Sequence, residues 1–296
     1  MRPHAPGLWT PALLLSLLLS CGLVRAAGDP LPVLRFEGKH ASVVLLGSVH
    51  MAYPTLYPLR EPLEQAFAAA DTVVVEVDIR DGNTQRIQDL FLEAGTLPPG
   101  QRLQDQLSRD TLSALERYLT VRGLPMAAFE RLQPGLVVVT LSALRLVELG
   151  LDPELGVEQH FLARLNPGQT VLELESAEQQ VALLLDFPDA DRLLAQSLLQ
   201  LEQAESLLDP LYRAWLAGDL DALDRLLLRE ERAANPEFEP VYEKLYDRRN
   251  IAMAERLQAL LRGEGSYFVI FGAGHLVGDK GIIRLLTDAG YRPKPL

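Results

Sequence analysis

Cysteine is almost absent: Cys21 is the only one in 296 residues. No disulfide can form within the chain, and cysteine-ligated zinc is excluded. Any segment that outlives removal of the N-terminus also lacks a thiolate nucleophile. Lysine is nearly as scarce, at Lys39, Lys244, Lys280 and Lys294 only, against a formal net charge of −12. A phosphate backbone needs clustered cations, so nucleic acid is excluded as a partner. Past the N-terminus no apolar run approaches the ~20 residues of a membrane-spanning helix. Histidine, with five copies, is rare enough that each position counts.

The first residues differ from the rest. Arg2 gives a positive start, and Ala12 to Val24 is an apolar run broken only by Ser16, Ser20 and Gly22. The run is too short to span a bilayer and reads as a signal peptide over residues 1–26, which makes the protein exported to the periplasm or cell envelope. Two processing routes stay open. Leu18-Leu19-Ser20-Cys21 resembles a lipobox, with a lipid anchor at Cys21 as the one membrane contact, whereas Val24-Arg25-Ala26 suits cleavage after Ala26. Removing Arg2 and Arg25 leaves residues 27–296 more acidic still. With 48% apolar content they can bury one large core.

The expected fold is α/β: a central mixed β-sheet with flanking helices and a large, mostly helical insertion over about residues 82–261. Leu34 to Glu37 and Ser42 to Leu46 flank Gly38-Lys39 as a hairpin. Pro58 to Ala70 has helical spacing, and Thr72 to Val77 is β-branched, so strand, helix and strand predict a right-handed parallel crossover. Val171 to Glu175 alternates apolar and acidic residues as a further strand, followed by a helix start at Ser176. Leu136 to Leu141 fits a strand or a helix equally well. Tyr267 to Phe271 is a buried-type strand, Gly281 to Ala289 a helix, and Tyr291 to Lys294 an edge strand. Leucines from Leu193 to Leu228 suit core packing, with a homodimer face or a substrate lid as the alternatives.

One local device occurs near each end. Gly47-Ser48-Val49-His50 and Gly272-Ala273-Gly274-His275 both follow an apolar strand, and Glu76 closes a third. Ligands of open α/β sheets bind beyond the carboxyl ends of strands, so the topology gathers all three. The glycines are expected to allow tight or positive-φ turns that aim each imidazole over the strand end. Two imidazoles and a carboxylate suit a divalent metal with a position left open for water. One such turn would be a hydrogen-bonded structural histidine; two in the same frame point to a shared role. Asp78 is either a second acid or a capping residue.

The segments Val44 to His50, Val73 to Asp78 and Phe268 to Gly278 resemble the TraB/PrgY/GumN family, in whose wider group the Tiki-type metalloproteases stand. Gly156-Val157-Glu158-Gln159-His160-Phe161, Leu174-Glu175-Ser176 and Arg248-Arg249-Asn250 follow in the expected order, so the resemblance covers nearly all of residues 27–296. It implies His50, His275 and Glu76 as metal or catalytic residues, with Mn²⁺, Co²⁺ or Zn²⁺ as cofactor and a peptide or small molecule as substrate. Glu158 is then a fourth ligand or general base, or else a solvated helix residue. Glu173 and Glu175 share a strand face, aimed at the site or forming a polar edge. Arg249 and Asn250 either fix a carboxylate or polarise a carbonyl, or tie the insertion to the sheet. His160 is expected to be structural, and Ser48 replaces a common threonine while keeping the hydroxyl. Three functions follow: a metal-dependent peptidase or amide hydrolase, a metal-free hydrolase like the distantly similar erythromycin esterases, or a non-catalytic binder of peptide, polysaccharide or metal.

Overall fold

The computed structural model describes residues 31–80 and 82–296. The signal segment and Cys21 lie outside the described residues. Six strands form one mixed sheet: β1 (Val33–Glu37), β2 (His40–Ser48), β3 (Thr72–Val75), β4 (Thr170–Glu173), β5 (Glu264–Gly272) and β6 (Lys294–Pro295), in the order β4-β3-β5-β2-β1-β6. The hairpin forms as expected, with Val33 opposite Leu46 and Glu37 opposite Ser42. β2, β5, β3 and β4 all run parallel.

The helix Glu61–Ala68 does connect two parallel strands, but they are not neighbours: β5, from the far end of the chain, fills the space between β2 and β3. This central strand is buried on both faces at Phe268, Val269, Ile270 and Phe271, which explains its uninterrupted apolar run. The parallel ladder sets Gly47 beside Phe271 and Ser48 beside Gly272, so the two Gly-x-x-His segments leave the sheet side by side.

Leu136 to Leu141 belongs to the helix Pro134–Glu148. Proline in the first turn has no N–H to lose there, and the stretch is long enough for four turns. β4 ends at Glu173, two residues earlier than its alternation suggests, and β6 is only Lys294–Pro295 at the outer edge. The stripe Leu193, Leu194, Leu198 and Leu201 packs inward, partly against the helices Arg109–Val121 and Pro134–Glu148 in a second core. Among the described residues no helix is long and apolar enough to cross a membrane.

Insertion and sheet are joined where the site forms. The Trp215 indole, buried in the helix Ala204–Leu216, donates to the Gly47 carbonyl at 2.7 Å. Trp215→Phe keeps most of the packing but leaves a buried carbonyl without its donor. The expected cost is ~1–3 kcal/mol, read as a lower urea midpoint with an unchanged slope.

Candidate active site

Three adjacent parallel strands end together, and each releases one group just past its last residue. Glu76 follows β3, His50 lies two residues past β2, and His275 closes the short 3-10 turn Ala273–His275 after β5. Gly272 stands at their centre. A Cβ built there would be 3.5 Å from Glu76 Oε1, 3.6 Å from His50 Nε2 and 3.8 Å from His275 Cδ2. Of the two turn types expected, the positive-φ one is corrected, since Gly272 has φ −51° and Gly47 is not left-handed either, while Gly272 does open into a tight 3-10 turn. What the motif glycines provide is space. A Cβ at Gly47 would stand 2.4 Å from a Leu276 methyl.

Each group is fixed from behind. The Asn250 Oδ1 accepts from His275 Nδ1–H at 2.5 Å, which leaves the Nε2 lone pair on the side of Glu76, 3.8 Å from its Oε1. Asn250 sits in the helix Arg248–Arg262 beside Arg249, whose guanidinium spans Glu76 Oε2 at 2.5 Å and both oxygens of Glu175 at 2.7 and 2.8 Å. The third nitrogen of Arg249, Nη1, donates to the Leu245 carbonyl, so the rest of the fork is committed to holding carboxylates. The Gly272 N–H donates to Glu76 Oε1 at 2.7 Å.

Glu158 arrives on the helix Val157–Leu162, docked by the Val157 N–H on the Val49 carbonyl. Gly156 permits that approach, since a Cβ there would fall 2.3 Å from the His50 carbonyl oxygen. Glu158 Oε1 lies 2.9 Å from His50 Nδ1 and accepts the Ser48 hydroxyl, while its buried Oε2 has no hydrogen-bond partner. Glu158 is 7% exposed, which overturns a solvated helix face for it.

The electrostatics divide the two histidines. Burial works against charge on His50, yet the Glu158 carboxylate outweighs it and holds the imidazole up to about 9. His275 has burial and the Arg249 charge both against protonation and is pushed down to about 3. Burial alone would raise Glu76; Arg249 reverses that and holds the carboxyl down to about 2. The result is a neutral imidazole, a protonated one and an ionised carboxylate around one point.

His50, Glu76, Glu158, Arg249 and His275 line a cavity of about 290 Å³, whereas Asn250 reaches it through His275, and Glu175 through Arg249 and Gln180. Glu175 is placed by its backbone, whose N–H donates to the Glu76 carbonyl, and not by strand pleat. Glu173 accepts from the Asp78 N–H, and Asp78 itself turns to Arg80. His160 bonds Glu64 and stacks on Tyr57 at 4.2 Å. Sequence reasoning missed Gln180, which donates to Glu76 and Glu175. The capping box of Ser176 and Gln179 fixes where its helix begins, and that was the available signal.

Three strand-end residues, a helical carboxylate and a polarising arginine define an α/β protein with a histidine and carboxylate centre at the carboxyl edge of its sheet. The chain belongs to the TraB/PrgY/gumN family, whose model matches residues 32–295. It is 28% identical to the uncharacterized protein YbaP of Escherichia coli strain K12 over 82% of this chain and 86% of that one. It is also 26% identical to Metalloprotease TIKI2 of Xenopus tropicalis and 25% identical to Metalloprotease TIKI1 of Homo sapiens, over 92% and 83% of this chain. Those matches span 61% and 58% of the TIKI proteins, so this chain corresponds to part of their length. No solved structure matches.

The raised His50 value carries a stability consequence for the metal-free protein. Folding favours the protonated ring, so its contribution is complete below the unfolded value of 6.5 and is lost as pH rises through about 9. Glu158→Gln removes the main attraction. His50 should titrate near 9 in the parent by NMR and well below that in the variant.

Proposed function

We propose that this protein is an exported, metal-dependent amide hydrolase that cleaves peptides. The observation that carries the reading is the space at Gly272, enclosed by His50 Nε2, the His275 ring and Glu76 Oε1. Among the described residues no group of three His, Asp or Glu side chains is drawn up to metal-binding distances. The donors nonetheless fit a divalent cation, which would take the place of the His50 Nε2 proton: two imidazoles with Nδ1 held by a neighbour, an ionised carboxylate and a cradle the size of a methyl group. His50, His275 and Glu76 would hold Mn²⁺, Co²⁺ or Zn²⁺. Such a cation would polarise the scissile carbonyl and acidify the attacking water.

The chain's own groups do the rest. Arg249 keeps Glu76 ionised, and Asn250 keeps the His275 Nε2 lone pair available. Glu158, which lines the cavity and whose buried Oε2 has no hydrogen-bond partner, receives the proton of the attacking water. As the water oxygen joins the carbonyl carbon and the C–N bond breaks, that proton passes to the leaving amine. The TIKI relatives, named metalloproteases, support the reaction class. Export rests on the apolar run Ala12 to Val24.

Elemental analysis of purified protein should find close to one divalent metal per chain, lost in the folded His50→Ala, His275→Ala double variant. Hydrolysis of a peptide library should stop on chelation and return with metal. Hydrolysis that survives exhaustive chelation but needs His50 would identify a metal-free reaction. Saturable peptide binding without turnover, indifferent to Glu76→Gln, would identify a binding protein.

Gly272→Ala is a sharper probe of the space. Its Cβ meets nothing nearer than 3.5 Å and its φ of −51° suits alanine, so the variant should fold. It should lose at least about tenfold in metal affinity or kcat/KM, roughly 1.4 kcal/mol, because the methyl takes up part of the space between the three donors.

A further inference from the structure

The cavity is not uniform. Its reacting end is polar, but away from Gly272 the lining becomes apolar, with Val138 and Val139 from the helix Pro134–Glu148, Leu183 and Leu184 from the helix Ala177–Leu185, and Val77 after β3. These two helices pack on one another, so the wall is a fixed surface. Val139, Leu183 and Leu184 are only partly buried, and what they lack is cover on the cavity side. Water in an apolar concavity is poorly bonded, and its release favours an apolar occupant by roughly 25 cal/mol per Å² covered.

Ser142 makes this wall more than a gap in packing. It lies one turn beyond Val138, lines the same cavity and is 5% exposed, yet its hydroxyl has no hydrogen-bond partner. A buried hydroxyl is normally bonded. Its environment calls for a ligand that brings one polar group among apolar atoms, and a peptide segment does so.

Resting on the hydrolase reading above, we infer that the wall of Val138, Val139, Leu183 and Leu184 selects peptide substrates carrying a bulky apolar side chain beside the scissile bond, with the Ser142 hydroxyl bonded to an adjacent peptide group. The sheet supplies most of the chemistry and the helical insertion supplies the specificity. At about 290 Å³ the cavity is near the lower limit of small-ligand pockets, which suits one large side chain and its flanking amides.

A peptide library varied at the positions flanking the cleaved bond tests this on the metal-loaded protein. Cleavage beside Leu, Met or Phe should exceed cleavage beside Ala or Gly by at least about tenfold in kcat/KM. Val139→Phe, which fills the wall, should lower that ratio about tenfold, and Val139→Ala should shift it toward larger residues. Ser142→Ala should raise KM several-fold more than it lowers kcat. NMR titration of the metal-free protein with N-acetyl-leucinamide and N-acetyl-glycinamide gives a readout independent of turnover. Cleavage with no preference at either position overturns the inference and leaves the hydrolase reading standing. No cleavage, but tighter binding of the leucine amide that Val139→Phe weakens, sinks the hydrolase reading and keeps the apolar pocket. No cleavage with equal binding of both amides sinks both.

Discussion

Everything in the site depends on β5 lying between β2 and β3. Because all three run parallel, their carboxyl ends share one edge, and the register that sets Ser48 against Gly272 decides which side chains meet. A shift of one residue would reverse the faces of β5, whose apolar residues are buried throughout. Core packing and site assembly are therefore the same constraint. The Trp215 bond to Gly47 and the Val157 bond to Val49 then clamp inserted helices onto the end of β2.

Charge is the second organising element. Glu76 is buried at the end of an apolar strand, and its ionised form would be untenable without Arg249. Arg249 in turn needs Glu175, which completes its fork. The chain of Glu76, Arg249 and Glu175 keeps an anionic oxygen at the cavity, while Glu158 favours the protonated form of His50, and burial with the Arg249 charge favours the neutral form of His275. Within a few ångströms stand a neutral imidazole, a protonated one and an ionised carboxylate, three groups that differ in their readiness to give or take a proton.

Much of this was legible in particular residues. Gly38-Lys39 between apolar runs specified the hairpin, and the repeated Gly-x-x-His after two strands pointed to the sheet edge where these side chains gather. The positive φ expected of those glycines was wrong. Sequence offers backbone freedom as the default meaning of glycine, but whether a Cβ would strike Leu276 or enter the space between three donors depends on what is folded around it. The stretch Leu136 to Leu141 was ambiguous because a buried helix and a buried strand have the same apolar run.

The sequence by itself determined the periodicities that make strands and helices, the rarity of histidine and cysteine that narrows the chemistry, and the resemblance that groups this chain with its relatives. Those properties are local or compositional, so they need no partner to be read. Only the tertiary structure decided that Arg249 grips Glu76 and Glu175, that Gln180 joins them, and that the apolar wall shares a cavity with the two histidines. These are contacts between residues far apart along the chain. The packing of the insertion against the sheet sets them, and no spacing within either segment encodes it.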